Sequence, residues 1–588
     1  MSTRSRSAKQ NQSAEGALAS DYSLPTYPFV KPLALTTGEV THHPIVIVGA
    51  GLTGLTLACK LAQLHIPAVL LDEDNTVGVK GASSRGICYT QQSLEIFQRL
   101  GIYEQVAAKG VAWQVGRTFA GDEEVYSFDL RDNKQFSLSQ QPPFINIQQF
   151  YIEMWLVDRI HALNQAGGSL KTGASIDLRW CSKVVDFQQN KHGATLFIST
   201  PEGDYALEAS HVIDATGSHS PFHAWCEVSM DSKKGDDRWC IADVRFQDNP
   251  PTERHTWIEA PFNDNRAVWQ HLMADDVWRI DYQMAPDADP DYVSRKEVVH
   301  ERLAKQFGKQ VPCEIVWVGP YAYKSQCLHQ LRAGRVFFMG DTAKVVSPFG
   351  ARGGNTGIAD ADNLGWKLAA VMRGDAPEQL LDSYHQERWQ AAQRNLQVTN
   401  RTARYLRPPT QLERLFRDAT IGLAKQHAFA RPLINTGRMA EANRYTASDI
   451  CHTDGGWMVQ NVALQFDDAL TGSLNDLLCW AGGHLLLLVF GSLKRGEIKK
   501  LAMLSNTTPV RVVQVMQQEN TQVRERVLDP HKRLRKACDA IQHRWALLRP
   551  DAYLASRGKH IDGKINKAIS QSLGLHSPGT PHDHHTEN

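Results

Sequence analysis

The sequence predicts an α/β protein in which a parallel β-turn-α-β unit is followed by an inserted antiparallel sheet, a helical segment and a small α/β domain. Residues 44–48 form a continuous β-branched run, which is typical of a buried parallel strand, and a second apolar run spans residues 68–71. Residues 267–273 and 277–284 contain aromatic residues that partly alternate with polar ones, which favours antiparallel strands. A third alternating region begins near residue 455, and the spacing of its apolar runs is enough to build a separate small domain.

The composition is that of an ordinary globular protein: of 588 residues, 42% are hydrophobic and 22% charged, and the net charge is +1. Because neither sign of charge dominates, bulk electrostatics indicate no nucleic-acid partner and no membrane partner. No apolar run approaches the length of a membrane span, and the N-terminal residues lack the apolar core of a secretory signal. The ten cysteines include no CxxC pair, so we expect reduced thiols in a cytoplasmic protein.

The first apolar run turns directly into the glycine loop of residues 49–54, Gly-Ala-Gly-Leu-Thr-Gly. Gly49 permits a tight turn, Gly51 allows a pyrophosphate to approach the backbone, and Gly54 allows the following helix to pack on the strand. The helix N-terminus adds free N–H groups and the positive end of the helix dipole. Asp72 ends the second strand, where a carboxylate accepts from adenosine ribose hydroxyls. This order of elements predicts dinucleotide binding, with a purely structural glycine turn as the alternative.

A second glycine-rich segment bears on the choice between NAD and FAD, which the first one leaves open. Gly340 and Asp341 close a predicted strand at 335–339, and residues 347–355, Ser-Pro-Phe-Gly-Ala-Arg-Gly-Gly-Asn, open a helix. Reduced flavin carries negative charge on its pyrimidine edge, and glycine amides at a helix N-terminus stabilise such charge. An aspartate just before that helix could hold the ribityl chain. The residues therefore favour FAD, with a glycine-rich turn and a buried cap as the structural alternative.

In combination these motifs resemble the flavin monooxygenases of the p-hydroxybenzoate hydroxylase type, and most closely the phenol and 3-(3-hydroxyphenyl)propionate hydroxylases. The resemblance covers about residues 44–400. It rests on the glycine loop, on Ser84-Arg85-Gly86-Ile87, on Gly340-Asp341 with Pro348-Phe349-Gly350, and on the helical sequence that starts at Asn355. The region after about residue 455 resembles the thioredoxin-like tail of phenol hydroxylase relatives, here without a CxxC dithiol.

The resemblance implies a role for each matching residue. Pro348 would lie over the flavin face that reacts with O2, Arg85 near the pyrophosphate and Gln149 at the ribityl region. Asp341 would bind ribityl hydroxyls, and the amides of the second glycine-rich helix would face the pyrimidine edge. On the residues alone, Arg85 equally suits a surface cation and Gln149 a helix cap. The predicted FAD-binding residues are Gly49, Gly51, Leu52, Thr53, Gly54, Asp72, Glu73, Arg85, Gln149, Gly340, Asp341, Gly353, Gly354 and Asn355.

Two positions depart from the family's pattern. Where the family usually carries an Asp-Gly pair, this chain has Thr216 before a glycine, and His219 replaces an arginine. That acid is associated with flavin and nicotinamide interaction, so its loss puts the reduction step in question. Asp214 would share a strand face with Thr216, but we do not assume that it substitutes. Lys344 stands where the family often has histidine, and would either bring positive charge toward the flavin or point to solvent.

The inserted sheet is expected to supply substrate contacts, because aromatic walls suit a phenolic ring. Trp269 and His271 would share one face of their strand, and Trp278 and Tyr282 one face of the next, but the pattern does not tell which face looks at the flavin. Trp257 is a further candidate, and each of these residues also suits a core position. Cys88 and Tyr89, which come just after Arg85, are further candidates to approach the ring. The candidate catalytic residues are Pro348, His271 as a base, and Tyr89.

The activity implied by the resemblance is external monooxygenation. NAD(P)H reduces FAD, O2 adds at C4a, and the hydroperoxide delivers one oxygen atom to a phenolic ring. Because there is one GxGxxG loop, NAD(P)H would bind transiently as a co-substrate. Two alternatives stay open: the same flavin chemistry on a non-phenolic substrate (Baeyer–Villiger insertion, epoxidation or dehydrogenation), and a flavin-binding protein without turnover. The expected partners are a small aromatic substrate and O2. The last domain is interpreted as either structural or dimer-forming, so a homodimer is one possible assembly.

The histidines of the C-terminal tail suit a polar terminus better than a metal site, so no metal is predicted. The predicted organisation is an N-terminal arm, partly disordered (1–43), a Rossmann-like FAD-binding domain in two parts (44–237 and 331–400), an inserted antiparallel β-sheet substrate domain (238–330), a helical connection (401–454), a thioredoxin-like α/β domain lacking CxxC (455–565) and a disordered tail (566–588).

Overall fold

The computed structural model describes residues 24–78, 88–132, 136–167, 176–435, 439–466, 471–517 and 526–575. Arg85, most of the N-terminal arm and the histidine-rich tail lie outside these described residues.

The elements are given in chain order. Up to residue 225 they are α1 Ala34–Thr37, β1 Thr41–Val48, α2 Leu52–Gln63, β2 Ala68–Leu71, β3 Cys88–Thr90, α3 Gln91–Leu100, α4 Tyr103–Lys109, β4 Val111–Ala112, β5 Val115–Ala120, β6 Glu123–Asp129, β7 Phe144–Asn146, α5 Gln149–Gly167, β8 Ile176–Arg179, β9 Lys183–Gln189, β10 Ala194–Thr200, β11 Gly203–Asp214 and α6 Phe222–Trp225. Up to residue 426 they are β12 Met230–Phe246, β13 Arg254–Ala260, β14 Arg266–Leu272, β15 Val277–Gln283, α7 Pro290–Val293, α8 Lys296–Phe307, β16 Cys313–Leu328, β17 Arg332–Ala333, β18 Val336–Phe338, β19 Lys344–Val345, α9 Gly353–Met372, α10 Asp382–Leu406 and α11 Gln411–Gln426. The last are β20 Ala463–Gln465, β21 Thr471–Ser473, α12 Leu474–Trp480, β22 Leu485–Phe490, α13 Arg495–Thr507, β23 Val510–Met516, β24 Arg526–Leu528, α14 Arg533–Ala537, β25 Trp545–Leu548, β26 Leu554–Gly558 and α15 Lys564–Ser572.

The first sheet has eight strands, with β17, β18, β11, β1, β2 and β8 in line and the β9–β10 hairpin attached to β11. β1 runs parallel to both β2 and β11, and the residues at the end of β1 are fully buried, as a β-branched run predicts. The strands expected at 44–48 and 68–71 are therefore confirmed. The long β11 ends at Asp214 and pairs with β10 in an antiparallel hairpin.

The second sheet also has eight strands, in the order β19, β16, β12, β15, β14, β13, β5 and β6. It is larger than the predicted insert, because β12 begins at Met230 and because β5 and β6 come from a much earlier part of the chain. It is also not wholly antiparallel, since β13 runs parallel to β5. The local alternation of β5 is regular, but nothing in it names a partner strand so distant in sequence.

The third sheet has seven strands, in the order β21, β20, β24, β23, β22, β25 and β26. β22 lies at its centre, parallel to β23 and antiparallel to β25, and all its residues are buried. β22, β23 and β25 lie in the alternating region that the sequence predicted after about residue 455. Among the described residues of this region, Cys479 and Cys538 are free cysteines.

Buried ion pairs join the third sheet to the helices of the first. Glu387 of α10 accepts hydrogen bonds from both terminal nitrogens of Arg549, which follows β25. Lys367 of α9 donates to the same carboxylate at 2.8 Å, and all three side chains are fully buried. The C-terminal region is thus attached through charges that have no access to water.

A second polar contact between these regions is predicted to make stability depend on pH. The Glu95 carboxylate on α3 accepts from Ser139 Oγ at 2.6 Å and from the Asn461 backbone N–H at 3.1 Å. Burial raises the pKa of Glu95 from 4.5 to about 7, against the opposing effect of these donors. Because the folded chain holds this proton more tightly than the unfolded chain, the free energy of unfolding falls as pH rises from about 4.5 to about 7.

Glu95→Gln removes this titration while keeping the shape of the side chain. Between pH 5 and pH 8, the free energy of unfolding of the unmodified protein should fall by about 3 kcal/mol relative to that of the variant. Denaturant midpoints of both proteins at the two pH values measure the difference. Parallel pH profiles would show that Glu95 is not protonated on folding. The exposed Glu314, changed to Gln, serves as the control and should leave the pH profile unaltered.

None of the helices within the described ranges combines the length and the apolar composition that a bilayer crossing needs.

Candidate active site

A cavity of about 1520 Å³ is lined by residues of the first and second sheets. Small-molecule pockets usually measure about 300–1,000 Å³, so this cavity has room for a dinucleotide and a second molecule. The predicted site residues that line it are Gly49, Gly51, Leu52, Thr53, Asp72, Glu73, Tyr89, Gln149, His271, Gly340, Asp341, Pro348, Gly353, Gly354 and Asn355.

The glycine loop makes the turn between β1 and α2. Gly49 has φ +106°, and a Cβ there would lie 2.6 Å from the Ala215 carbonyl oxygen. Gly54 lies behind the loop, where a Cβ would come within 1.9 Å of the Gly49 carbonyl oxygen. No side chain fits in that space, so glycine alone allows α2 to start this close to the strand.

Thr53 is the point at which the two glycine segments meet. Its side-chain oxygen would lie 2.6 Å from a Cβ at Gly340 and 2.3 Å from a Cβ at Gly357. The missing side chains of these glycines let the start of α2 pack directly on the turn after β18 and on α9. The N-termini of α2 and α9 therefore both face the cavity.

Asp72 follows β2 and has backbone partners of its own. Its Oδ2 accepts from the Ala50 N–H at 2.5 Å and its Oδ1 from the Asp74 N–H at 2.8 Å. Burial raises the pKa of Asp72 to about 6, although these hydrogen bonds oppose the rise. The adjacent Glu73 forms an ion pair with Lys183 at 2.8 Å.

Gln149 begins α5 and donates through Nε2 to Glu153 Oε1 at 2.8 Å. Glu153 is buried, lines the cavity beside the glycine loop and also accepts from the Gly78 N–H at 2.9 Å. Burial raises its pKa. Sequence reasoning assigned Glu153 no role, although its spacing of one helical turn from Gln149 was a usable signal.

Gly353 and Gly354 open α9, and a Cβ at Gly353 would meet no atom within 4 Å. The Asn355 side chain is fully used elsewhere: its Nδ2 donates to the Cys88 carbonyl at 2.8 Å and its Oδ1 accepts from Ser93 Oγ at 2.6 Å. Asn355 thereby ties the start of α9 to β3 and α3. At the start of α9, Gly353 and Gly354 therefore present backbone amides to the cavity.

Lys344 does neither of the two things expected of it. Its Nζ is fully buried and forms an ion pair with Asp360 of α9, which Arg388 of α10 also contacts. Asp360 in addition accepts from the Gly340 N–H at 3.0 Å. Burial lowers the pKa of Lys344, and the Asp360 carboxylate opposes this effect. The lysine therefore holds the glycine turn in place and does not reach the flavin region or the solvent.

Asp214 does not present its carboxylate to the cavity. It is fully buried at the end of β11, where Oδ1 accepts from Thr216 Oγ1 at 2.7 Å and Oδ2 accepts from Ser220. Thr216 and His219 do line the cavity. Thr216, which stands where the resembled family carries an acid, is thus neutral. Asp214 does not supply the missing carboxylate to the cavity.

The second sheet turns one face to the cavity, and of the five candidates on it only Trp269 and His271 are on that face. Trp278 and Tyr282 lie in the core on the opposite face, with residues of α8. Trp257 stacks on Phe119, with ring centroids 5.2 Å apart. The alternation predicted which residues share a face, and the structure decides which face lines the cavity.

A family described as an FAD binding domain matches residues 42–399, which is more than half of the chain. The chain belongs to this FAD-binding family. A flavin-dependent monooxygenase of Mycobacteroides abscessus is 29% identical over 363 residues, covering 59% of the chain and 71% of that relative. A 3-(3-hydroxy-phenyl)propionate/3-hydroxycinnamic acid hydroxylase of Mycolicibacterium smegmatis is 25% identical over 377 residues, covering 64% of each, so the chain spans just under two thirds of this relative.

Solved structures share the fold of this FAD-binding chain. The flavin-dependent monooxygenase PieE, in complex with FAD and substrate, has a TM-score of 0.75 at 20% identity, covering 91% of this chain and 99% of PieE. Aklavinone-11 hydroxylase, in a ternary complex with FAD and aklavinone, has a TM-score of 0.69 at 18% identity, covering 91% of this chain and all of the other.

The cavity fits the cofactor of the FAD-binding family. Two helix N-termini face it, and FAD has two anionic parts, the pyrophosphate and, when reduced, the pyrimidine edge. The glycines at both helix starts leave amides uncovered at these points. Within the described ranges, no group of three or more histidine, cysteine, aspartate or glutamate side chains is placed to hold a metal ion.

Proposed function

We propose that this chain is an FAD-dependent monooxygenase that uses NAD(P)H and O2 to hydroxylate a small aromatic substrate. The observation that carries the proposal is the single cavity, into which both glycine segments, Pro348 and the aromatic face of the second sheet project. One cavity for both molecules is what a transfer of oxygen from a flavin to a ring requires, because the reacting atoms must meet away from water.

When bound, FAD supplies the redox chemistry, taking a hydride from NAD(P)H and activating O2. The loop residues Gly51 and Leu52 hold the pyrophosphate, and Asp72 contacts the ribose. Asp341 and Gln149 hold the ribityl chain. The amides that open α9 stabilise negative charge on the reduced ring, and Pro348 and Trp269 enclose the substrate and exclude water.

His271 acts as a hydrogen-bond acceptor for the substrate hydroxyl. Burial, followed by the charges of Arg254 and Arg279, holds the pKa of His271 well below its usual value. The imidazole is therefore neutral at physiological pH and keeps a free acceptor nitrogen. A base with so low a pKa accepts a proton poorly, so its contribution is orientation of the hydroxyl.

The alternative of a flavin-binding protein without turnover is motivated by the two departures from the family's pattern, Thr216 and Lys344. Lys344 lies behind the turn, paired with Asp360, where it supports the site. Thr216 stays as the reason to test reduction directly.

We further propose a role for the C-terminal region. The C-terminal region is a thioredoxin-like domain without a redox dithiol, which the parallel β22–β23 pair and the antiparallel β25 and β26 support. It serves dimer formation, and the protein works in the cytoplasm, where its free cysteines stay reduced. We propose the domain boundaries given for the sequence with two changes: the second sheet begins at Met230 and includes β5 and β6, and the C-terminal region extends through α15 to Ser572.

The test is anaerobic reduction of the FAD-loaded protein by NADH or NADPH, followed at the flavin absorbance band with and without a panel of phenols and hydroxyphenyl acids. We expect one class of ligand to accelerate the bleaching, and the matching product to contain one atom of ¹⁸O after mixing with ¹⁸O2. Retained FAD that no ligand allows NAD(P)H to reduce would refute the proposal. Fast reduction without an oxygenated product would indicate another flavin reaction.

A further inference from the structure

Three polar side chains form a row across the cavity face of the second sheet. His271 of β14 pairs with Arg279 of β15, and the pairing of His255 with Gln270 places Arg254 opposite His271 on the other side. Arg254, His271 and Arg279 all line the cavity. The row thus carries two guanidinium groups on either side of a neutral imidazole.

The two arginines differ in their partners. Arg279 Nε donates to Asp281 Oδ1 at 2.9 Å, so its charge is compensated. Arg254 donates to the sulfur of Met439, and its guanidinium lies 6.0 Å from the centre of the Trp113 ring. Among the described residues, its Nε has no hydrogen-bond partner and no carboxylate lies within ion-pair distance of it.

An arginine in this position needs an anion. Guanidinium does not lose its proton in proteins, and a charge shielded from water without a counter-ion is unfavourable. Arg254 is half-buried as a residue, and its Nε has no access to solvent. Burial lowers the pKa of Arg254, and the charge of Asp281, which is paired with Arg279, opposes this effect only in part. By contrast, Arg295 and Lys296, which line another part of the cavity at the start of α8, do not need an anion, because both side chains are exposed to solvent.

We infer that Arg254 binds an anionic oxygen group of the substrate, either a carboxylate attached to the ring or the ionised ring hydroxyl. The inference rests on the proposed function, because it places the aromatic substrate between Arg254 and the α9 turn. The planar guanidinium suits a bidentate contact with a carboxylate, and Trp113 and Met439 exclude water from the pair. His271 next to Arg254 then contacts the same molecule without adding charge.

The experiment measures equilibrium binding to the FAD-loaded protein through the change in flavin absorbance, with neither NAD(P)H nor turnover needed. The probes are 3-(3-hydroxyphenyl)propionic acid, its primary amide, and 4-nitrophenol, which ionises near neutral pH. We expect the acid or the nitrophenolate to bind at least tenfold more tightly than the amide. Arg254→Met should weaken binding of that anion by about 10- to 100-fold and leave the amide within about threefold.

Two further variants keep the result interpretable. Arg254→Lys keeps the positive charge but not the planar two-donor geometry of guanidinium, so it should weaken anion binding by an intermediate amount. If Arg254→Met does not retain FAD, the Arg254→Lys variant decides whether Arg254 binds the anion. Arg266→Met removes a partly exposed arginine of β14 whose partner is the exposed Asp264, and it should change neither affinity. An Arg254-dependent preference for the nitrophenolate alone would place the anion on the ring oxygen.

Equal binding of acid, phenolate and amide by the unmodified protein would overturn the inference, as would an Arg254→Met variant that loses all three probes equally. These outcomes differ from failure of the proposed function: Arg254-dependent anion binding in a protein that NAD(P)H never reduces would refute the monooxygenase activity and leave the anion site standing.

Discussion

Gly54→Ala is expected to abolish retention of FAD. A Cβ at this position would lie 1.9 Å from the Gly49 carbonyl oxygen and 3.1 Å from the Gly49 carbonyl carbon, both of them backbone atoms. The start of α2 would have to move away from the strand, and the loop amides would move with it. Overpacking of this kind costs about 3 kcal/mol or more, which corresponds to at least about 100-fold weaker binding. The FAD content of the purified variant and the affinity of its apoprotein for FAD measure the effect.

Gly422→Ala is the matched control for this substitution. Gly422 lies within α11, and a Cβ there would meet nothing within 4 Å, so FAD content should stay unchanged and helix propensity should improve. A Gly54→Ala protein that retains one FAD per chain would contradict the close approach of α2 to the glycine loop.

Glu387→Gln is expected to lower the free energy of unfolding by about 3–5 kcal/mol, because it leaves Arg549 and Lys367 with less than their full counter-charge in a buried place. Burial acts to raise the pKa of Glu387, but the Arg549 and Lys367 charges outweigh it and hold the pKa well below its usual range. The contribution is therefore fully present above pH 4.5 and is lost only in acid. The deficit of the variant should nevertheless be larger at pH 6 than at pH 8, because burial lowers the pKa of Lys367 to about 8 and this lysine then loses the charge that Glu387 compensates.

Thermal and urea unfolding of the FAD-loaded proteins, together with limited proteolysis of the connection before β20, would measure this loss. Glu314→Gln is the control, since Glu314 pairs with Arg245 at the surface and should change stability by less than about 1 kcal/mol. A Glu387→Gln protein as stable as the unmodified one would mean that the C-terminal region is held by its apolar contacts alone.

The parts of the fold that the sequence predicted well are those that local pattern encodes. β1, β2 and β18 are buried parallel strands, and such strands appear as short apolar runs whatever surrounds them. Both glycine-rich turns were predicted for the same reason, since the close approach that needs glycine lies within the turn or beside it. The addition of β5 and β6 to the second sheet was not predictable, because strand pairing over such a distance leaves no local trace.

The site shows the same division. Residues of the two glycine segments were identified from their own neighbours in sequence, whereas the role of Lys344 depended on Asp360 and Arg388, which come from two other helices. Arg254 reads as an ordinary surface charge at the start of a strand, and only the sheet register places it beside His271. Arg254 is a candidate anion site because none of the described carboxylates lies within ion-pair distance of it, and the sequence does not reveal such distances.

The pairing of β5 with β13 bears on how substrate preference could be exchanged between relatives. A chimera that takes only the stretch from β12 to β16 would leave β13 as an open edge, with its backbone groups unpaired over the strand that carries Arg254. Such an edge invites association with other chains. The transferable unit is therefore two stretches of chain, the β5–β6 hairpin and the later strands, and selection on the substrate site has to act on both together.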